Sequence, residues 1–406
     1  MVGVASAVSI AIGLEMLPYA AMAGAIITLQ WIWDRDEARR VAAYAASLAS
    51  GIALGYGAFG SYANTVARCD ALTPVYLTTL LAAGALLFVI AWINPQSRWA
   101  RLALAATAGV AVVGVFAGLF PQCLGRPEQV SPELYTNWLA NVREAKPIYM
   151  HPFAQAFPIS ALPLIGLLGA AIATGRAVKE RDANMVGWAA VTLFTLFACL
   201  MLLWQARAGP AAQLLAVPGA VALIWIAMPI LLDSPNMLVR VLGPVAVVLF
   251  ASGAFSGIAV GMIPSGPPDT RTAKVNKASG TCPYLGYMRG LNAYPATVVF
   301  SFVDLGPRII STTHHQAVAG PYHRNGDAIL DVQHAFGGTP EQFRAIARKH
   351  GATLLLVCPN MAESTIYRAR NPGGFYDRMA HGEKFDFLEP LPLAPQGTPL
   401  RLFRIK

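Results

Sequence analysis

The segment from Thr297 to Asn325, TVVFSFVDLGPRIISTTHHQAVAGPYHRN, joins a strand pattern to the densest group of reactive side chains in the chain. Its first residues are β-branched or aromatic, which is typical of a buried β-strand. The strand pattern breaks at Asp304-Leu305-Gly306-Pro307, and a polar cluster follows. Because nearly everything upstream is apolar, we expect this segment to lie just beyond a membrane-spanning bundle and to cover one end of it.

The composition indicates a polytopic α-helical membrane protein. The chain is 55% hydrophobic and 13% charged, whereas about a quarter of the residues in an ordinary soluble domain are charged. Runs of about 20 apolar residues, each long enough to cross a hydrocarbon core of about 30 Å, recur as far as Ile263. The net charge of +9 does not indicate nucleic-acid binding, because no basic run or interleaved aromatic stripe accompanies it.

The apolar runs predict eight or nine spans in a transmembrane domain of residues 1–263. A short helix to about Leu14 is followed by a turn and by a helix from Pro18 to Trp33, since proline favours the first turn of a helix. The total is nine, or eight if residues 1–14 only lie against the bundle. The other predicted spans are residues 41–60, 74–93, 102–120, 158–175, 185–204, 212–231 and 242–263.

The distribution of Lys and Arg predicts the orientation, because these residues concentrate in cytoplasmic loops. Loops 34–40, 94–101, 176–184 and 232–240 carry nine of them, and the loops of the opposite face carry five. This bias places the segment after Ile263 outside the cytoplasm. We therefore expect an integral protein of a bacterial inner membrane with a periplasmic C-terminal domain.

Four of the five cysteines lie in segments predicted to face outward. Cys69 and Cys123 fall in two loops of the same face, Cys282 and Cys358 fall in the tail, and Cys199 lies in an apolar helix. This distribution suits an oxidising compartment and two disulfides, Cys69–Cys123 and Cys282–Cys358. The alternative is four free, semi-buried thiols. Neither pair has C-x-x-C spacing, so no metal site is predicted here.

Residues 264–406 predict a small soluble α/β domain, with a linker at Pro264–Pro268. Thr339 has the pattern of a helix N-cap, with Pro340 in the first turn, and Gly351 ends that helix. An apolar strand follows at Thr353–Val357. The residues from Leu400 to Ile405 alternate in the manner of an edge strand.

Glu15 is an ionisable side chain inside an apolar hairpin. Such groups are costly in a membrane and usually face a cavity or a partner, which makes Glu15 a candidate for substrate binding. The alternatives are a carboxylate that reaches the outer interface and an N-cap for the helix that starts at Pro18.

Tyr322-His323-Arg324-Asn325 supplies a phenol, an imidazole, a guanidinium and an amide in four residues. Arg matches the geometry of a phosphate in bidentate fashion, so this cluster is a candidate for phosphate binding. Adjacent residues of a strand face opposite ways, so His314 and His315 cannot both enter one site. The alternative is a hydrogen-bonded loop that only fixes the domain on the bundle.

Two patterns resemble those of known enzymes. A strand, Asp304-x-Gly306, Thr312-Thr313-His314, Asn325, a capped helix and a second strand resemble the C-terminal domain of oligosaccharyltransferase catalytic subunits. There a W-W-D-Y-G motif ends the first strand, and the matching positions here read Phe302-Val303-Asp304-Leu305-Gly306. The turn Ala11–Pro18 resembles that of lipid-linked sugar transferases, with Glu15 where the pattern has Lys. Together these motifs resemble the GT-C glycosyltransferase superfamily.

The resemblance implies the C-terminal portion of a membrane glycosyltransferase that uses a polyprenyl-phosphate-linked sugar on the outer face of the membrane. It places the tail's first loop near the Glu15 turn and gives Arg324 a contact with phosphate. The chemistry needs an acid or base for the acceptor and cations or amides for the phosphate. The candidate substrate-binding residues are Glu15, Asp304, His315, Tyr322, His323, Arg324 and Asn325.

The acidic catalytic motif of GT-C enzymes lies in their first outer loop, and no D-D, D-x-D or E-x-D pair occurs in an outward loop before the tail. We therefore expect the catalytic carboxylates on a missing N-terminal half or a partner subunit, and no activity from these 406 residues alone. No cofactor is identified, although a complete protein could use a divalent metal.

The alternative function is a non-catalytic membrane subunit or a lipid or glycan transporter. The G-L-E-x-L-P break has no second copy in the sequence, which argues against the internal repeats of a transporter but not against a subunit.

The charge bias predicts the outcome of a topology experiment. A reporter that is active only in the periplasm should be active when fused after Lys406 and silent when fused in loop 176–184, because that loop is rich in Lys and Arg. Reporter activity in bacterial cells measures this directly. The reverse pattern would contradict both the orientation and the outward placement of the tail.

Overall fold

The computed structural model describes residues 1–263 and 269–406, so the predicted linker at Pro264–Pro268 lies outside the described residues. The chain divides into two compact units. Unit 1 consists of Met1–Gln129 and Val142–Ile263, and unit 2 consists of Val130–Asn141 with the described part of Pro264–Lys406. The sequence boundary left residues 130–141 in the transmembrane domain, whereas in the structure they belong to unit 2.

Unit 1 is built from apolar helices. Seven helices in the described residues are long and apolar enough to cross a membrane, which supports an integral membrane protein. The helices of unit 1 are α1 (Val2–Ile12), α2 (Leu17–Trp33), α3 (Ala38–Phe59), α4 (Pro74–Ile93), α5 (Arg98–Leu119), α7 (Phe153–Glu180), α8 (Met185–Leu202), α9 (Gly209–Leu232), α10 (Met237–Ala251) and α11 (Ala254–Met262). Helix α6 (Pro132–Asn137) lies in unit 2.

The number of spans in the described residues is seven, or eight if one bent pair crosses the membrane as a unit. Nine is therefore too many, because the 11 residues of α1 extend only about 16 Å. The predicted span at 242–263 is broken in the structure. Helices α10 and α11 meet at 90°, and Gly253 between them has a φ of +74°, a conformation that glycine adopts without steric cost.

The closest helix crossing of unit 1 joins α7 and α9 through glycine. A Cβ atom on Gly219 would lie 1.9 Å from the carbonyl oxygen of Gly166, and one on Gly169 would lie 2.0 Å from the carbonyl oxygen of Gly219. Small residues let two backbones approach in this way, which is a main source of helix association where no hydrophobic effect operates between helices.

Backbone carbonyls at the end of α2 are satisfied by a buried arginine. The guanidinium of Arg101 donates two hydrogen bonds to the carbonyl oxygen of Ile32, and one each to those of Pro95 and Gln96. Arg101 is 3% exposed. It was counted from sequence as a loop charge, but its structural role is to satisfy carbonyl groups that a helix end leaves unpaired.

Unit 2 contains a mixed five-stranded sheet in the order β2-β1-β3-β5-β4. Strand β1 pairs in parallel with β2 and β3, and β5 pairs antiparallel with β3 and β4. The strands are β1 (Val298–Ser301), β2 (Gln316–Ala317), β3 (Ala352–Val357), β4 (Leu388–Leu391) and β5 (Arg401–Ile405). The prediction of an edge strand at the C-terminus is wrong, because β4 covers β5 and forms the edge itself.

The helices of unit 2 enclose an aromatic core. Phe300 of β1 and Phe302, which directly follows this strand, pack against Phe336. Phe343 stacks on Phe375 with ring centroids 4.1 Å apart. The predicted capped helix is confirmed, since Thr339 accepts a hydrogen bond from the Gln342 N–H in a capping box. The helices are α12 (Thr270–Thr281), α13 (Leu285–Met288), α14 (Gly306–Thr312), α15 (Gly326–Gly337), α16 (Pro340–Lys349), α17 (Ala362–Arg370) and α18 (Phe375–Ala380).

Each unit contains one disulfide. Cys69 is bonded to Cys123 in unit 1, and Cys282 is bonded to Cys358 in unit 2. These are the pairs that the sequence predicts, and Cys199 has a free thiol.

The α7–α9 crossing predicts a stability difference between two glycine substitutions. Gly219→Ala should lower the thermal midpoint of the detergent-solubilised protein, because the added Cβ forces the helices apart at a cost of about 1–3 kcal/mol. The control is Gly175→Ala on α7, where a Cβ meets no atom within 4 Å, and it should leave the midpoint unchanged or slightly raised. Equal midpoints for the two variants would show that this contact does not limit stability.

Candidate functional site

The carboxyl ends of β1 and β3 form the position in unit 2 where a ligand site is expected. The two strands are parallel neighbours. The connection after β1 leads to β2 on one side, and the connection after β3 leads to β4 and β5 on the other. Such a reversal in a sheet opens a crevice outside the strand ends, where ligands commonly bind. Asp304 follows β1 at this point, and Glu363 follows β3.

Glu363 is a buried carboxylate that accepts hydrogen bonds from the backbone of the Asp304 turn. Its Oε1 atom accepts from the N–H of Val303 at 2.8 Å, and Oε2 accepts from the N–H of Asp304 at 2.9 Å. The hydroxyl of Tyr367, one helical turn further along α17, donates to Oε1. The residue is 8% exposed. Burial and the nearby charge of Asp304 raise the pKa of Glu363 to about 7, against the lowering effect of its hydrogen bonds.

Asp304 itself is exposed, so its carboxylate is accessible to a ligand. Neighbouring protein atoms displace water from the Asp304 carboxyl group, and this desolvation raises its pKa. The positive charge of Arg308 opposes that shift. The Arg308 side chain donates to the carbonyl oxygens of Asp304 and Pro283. An arginine held by backbone carbonyls thus stands beside an accessible carboxylate.

Gly306 brings the Asp304 turn against the loop that leads into the Tyr322–Asn325 cluster. A Cβ on Gly306 would lie 1.9 Å from the carbonyl oxygen of Ala319 and 3.2 Å from the Cα of Gly320. The N–H of Tyr322 then donates to the carbonyl oxygen of Gly320 at 2.7 Å. The two segments that the sequence selected are therefore neighbours in unit 2.

The four residues of the cluster form a short turn before α15. Tyr322 is 52% exposed, and the guanidinium carbon of Arg324 lies 5.7 Å from the centre of its ring. The rings of Tyr322 and His323 are 5.3 Å apart. Asn325 occupies the N-cap position of α15, and its side chain makes no capping hydrogen bond. The cluster presents a phenol, an imidazole and a guanidinium from one turn.

His315 does not belong with these residues. It is 3% exposed, and its Nδ1 atom accepts a hydrogen bond from the N–H of Thr297 at 3.2 Å. The ring proton is therefore on Nε2, which donates to the carbonyl oxygen of Leu291 at 2.8 Å. Both ring nitrogens serve the fold, so we remove His315 from the substrate-binding candidates. Its exposed neighbour His314 contacts the carbonyl oxygen of Tyr294.

Both apolar and polar contacts hold the segment 130–141 in unit 2. Leu134 is buried in the core of the unit and approaches Gly326, at the start of α15. Glu133 Oε1 lies 2.6 Å from His334 Nε2. Arg370 donates to the carbonyl oxygens of Thr136 and Asn137 and to the side chain of Asn137. A polar cleft of about 580 Å³ lies between this segment and the helices α15, α16 and α17.

In unit 1 Glu15 pairs with an arginine that sequence reasoning counted only as a loop charge. Arg207 Nη1 lies 3.6 Å from Glu15 Oε1, and Nη2 lies 3.7 Å from Glu128 Oε1. Its Nε atom donates to Gln205 Oε1. Both N···O distances exceed the usual 2.7–3.2 Å of a direct hydrogen bond, so the carboxylates do not hold the guanidinium in a tight bidentate pair.

An apolar cleft of about 580 Å³ begins beside this cluster and follows α2. Its lining includes Ile10 and Leu17 on either side of the Glu15 turn, and it continues along α2 to Ile32. The 16 residues from Leu17 to Ile32 span about 23 Å of helix. Thr28, Tyr44 and Thr79 are the polar residues of the lining. A long hydrocarbon chain matches this shape.

The residues that sequence reasoning missed are Glu363, Arg207 and Glu128. The predicted strand at Thr353–Val357 marks the part of the chain in which Glu363 lies, but the burial of Glu363 depends on the pairing of β1 with β3, which the sequence does not reveal. The sequence offers no comparable signal for Arg207 or Glu128. Whether Glu15 and the unit 2 residues serve one site stays a prediction. Within the described ranges, no group of three or more His, Cys, Asp or Glu side chains is arranged to hold a metal ion.

Comparisons with known proteins support the fold. No protein-family model and no curated protein matches the sequence. The apo oligosaccharyltransferase of Archaeoglobus fulgidus matches with a TM-score of 0.53 and 18% identity over 96% of this chain. The same archaeal enzyme in complex with an inhibitory peptide and a dolichol-phosphate matches with a TM-score of 0.56 and 15% identity over 96% of this chain. The form tethered to an acceptor peptide with the NVT sequon matches with a TM-score of 0.57 and 16% identity over 100% of this chain.

This chain spans 51% of each of these structures, or about half their length. At identities of 15–18% the similarity shows a shared fold. The chain therefore has the fold of the matched half of an oligosaccharyltransferase, and it is similar to these enzymes in both its apolar helices and its tail.

The contact of Gly306 predicts which of two nearby glycines tolerates a methyl group. Gly306→Ala should lower the thermal midpoint of unfolding, because the Cβ cannot share space with the Ala319 carbonyl and repacking costs about 1–3 kcal/mol. Gly320→Ala is the matched control, since its Cβ would meet Pro307 at 3.6 Å, an ordinary contact. Differential scanning fluorimetry of both variants checks this. A tolerated Gly306→Ala would mean that the two loops are not held together there.

Proposed function

We propose that this chain is the C-terminal portion of a membrane glycosyltransferase of the oligosaccharyltransferase type, which transfers a glycan from a polyprenyl-phosphate donor. The observation that carries the proposal is the shared fold over 96–100% of the chain. We assign the reaction to the outer face of a bacterial inner membrane, with a periplasmic tail, because of the distribution of Lys and Arg.

Unit 1 supplies the donor site in this proposal. A polyprenyl phosphate is an amphiphile, with a long hydrocarbon chain and an anionic head. The cleft along α2 offers apolar side chains over a length close to the hydrocarbon core, and Arg207 stands at the same end as Leu17. The guanidinium of Arg207 can bind phosphate because the N···O distances of its ion pairs with Glu15 and Glu128 are long. A charge-assisted bidentate contact with phosphate is stronger than either of these ion pairs.

Unit 2 supplies the acceptor site in this proposal. The exposed carboxylate of Asp304 can accept hydrogen bonds from an acceptor's hydroxyl or amide groups. Tyr322, His323, Arg324 and Asn325 add hydrogen-bond donors, and Arg324 adds a positive charge. As the sugar leaves, negative charge develops on the phosphate, and cations placed in advance stabilise it. The carboxylates that activate the acceptor come from outside these 406 residues in this proposal, from the same polypeptide or a partner.

Binding of a fluorescent polyprenyl monophosphate to the detergent-solubilised protein tests the donor site. Arg207→Ala should weaken binding about tenfold or more, because a charge-assisted hydrogen bond contributes about 1.5–3 kcal/mol. A second variant, Ala83→Phe, should weaken binding by filling the cleft, which Ala83 lines.

The control is Arg240→Ala, which removes an exposed arginine of α10 far along the chain from the cleft lining. It should leave the dissociation constant unchanged. Equal affinity for the native protein, Arg207→Ala and Ala83→Phe, or no saturable binding by the native protein, would contradict the donor assignment.

A further inference from the structure

Glu363 acts on the candidate site through the backbone. Its carboxylate is buried, and both oxygens are engaged by the N–H groups of Val303 and Asp304 and by the hydroxyl of Tyr367. These two N–H groups belong to the short 3₁₀ turn Val303–Leu305, which directly precedes α14. The turn begins directly after β1 and carries the exposed Asp304 side chain.

We propose that Glu363 is a positioning residue, whose carboxylate fixes the turn that presents Asp304 by accepting the N–H groups of Val303 and Asp304 together. The assignment of Asp304 to acceptor binding rests on the proposed function. The positioning itself rests on the hydrogen bonds and can be measured without any substrate.

Only a carboxylate fits this arrangement. An ionised carboxylate has two oxygens that accept and none that donates. A glutamine has one acceptor oxygen, and its NH₂ group would face an N–H donor at the other position. A protonated glutamate has the same defect, because one of its oxygens then carries a hydrogen. Oε1 accepts from two donors and Oε2 from one, so protonation at Oε2 disturbs the fewest hydrogen bonds and weakens the one from the Asp304 N–H.

The need for an ionised Glu363 makes the turn Val303–Leu305 sensitive to pH near neutrality. Burial and the charge of Asp304 raise the pKa of Glu363 to about 7. Above that pH the carboxylate holds both N–H groups, and below it the hydrogen bond from the Asp304 N–H is weakened. The titratable and charged groups that act directly on Glu363 and Asp304, besides each other, are Arg308 and Tyr367. Tyr376 acts on Tyr367, and Arg368 and Arg401 act on Tyr376.

Stability and local order respond to pH in opposite directions. A carboxyl group whose pKa is raised on folding binds more protons in the folded state between its unfolded and folded pKa values. The Glu363 contribution to stability is therefore complete below about pH 4.5 and falls as the pH rises to about 7. The hydrogen bonds to the Asp304 turn strengthen over the upper part of the same range, because they require the ionised form.

Hydrogen exchange of the full chain in detergent tests the proposal. The protection of the Val303 and Asp304 amides, corrected for the intrinsic exchange rate, should be several-fold higher at pH 8 than at pH 6 in the native protein. Glu363→Gln should lower protection at pH 8 by about tenfold, as expected for loss of a hydrogen bond to a charged group, and should remove the difference between the two pH values. Protection of β3, residues 352–357, serves as the internal reference for global unfolding.

Tyr367→Phe is the matched control, because it removes a donor to Glu363 and leaves both backbone hydrogen bonds in place. It should retain the pH dependence. Equal protection of the turn in the native protein and in Glu363→Gln, or an equal loss in β3, overturns the positioning role. If Glu363→Gln does not fold, the native protein decides alone, since protection that does not change between pH 6 and pH 8 also overturns it. The measurement uses no donor or acceptor, so its outcome is independent of the polyprenyl-phosphate test.

Discussion

The hydrogen bonds from the backbone of residues 303 and 304 to Glu363 are the interaction on which unit 2 depends at the carboxyl ends of β1 and β3. Strands β1 and β3 are paired along their length, but their chains separate as soon as the strands end. The Glu363 carboxylate joins the two segments that follow these strands. Burying that charge is unfavourable unless its oxygens are satisfied, and here two amides and one phenol satisfy them. The fold thereby keeps the exposed Asp304 at a defined place above a carboxylate that is buried.

Unit 1 meets a different constraint, because lipid offers no hydrogen bonds to unpaired backbone groups. Within each helix the backbone groups form hydrogen bonds with one another. Side chains bond to the carbonyl groups that the helix ends leave unpaired, as Arg101 does for the carbonyl of Ile32. Glycine and alanine then allow close approach, as at Gly166 and Gly219. What remains between α2 and the helices packed around it is an apolar cleft with an arginine near one end. The cleft is lined by residues of α1 to α5, whereas the glycine crossing joins α7 and α9.

The features predicted correctly from sequence are those that neighbouring residues determine. The membrane class follows from apolar runs, and the helix that begins after Thr339 follows from a local capping pattern. The failures depend on distant pairing. The last strand alternates as an edge strand does, yet β4 covers it, and nothing local reveals that neighbour. Glu363 looks like an ordinary acidic residue in the first turn of a helix, and its burial arises only when β1 and β3 meet. A Cβ on Gly253, at the bend between α10 and α11, would lie 3.1 Å from Leu162 of α7, a neighbour that the local sequence does not reveal.

The placement of residues 130–141 in unit 2 has a consequence for synthesis. These residues leave the ribosome before α7 to α11, whereas the core that buries Leu134 is completed only when the C-terminal strand has been made. Domains generally fold as units while the chain emerges from its N-terminus. An early segment of this protein must therefore remain unpartnered until β5 has been made, with the apolar side chain of Leu134 exposed until then. The maturation of unit 2 is accordingly a late event, which follows the synthesis of α7 to α11.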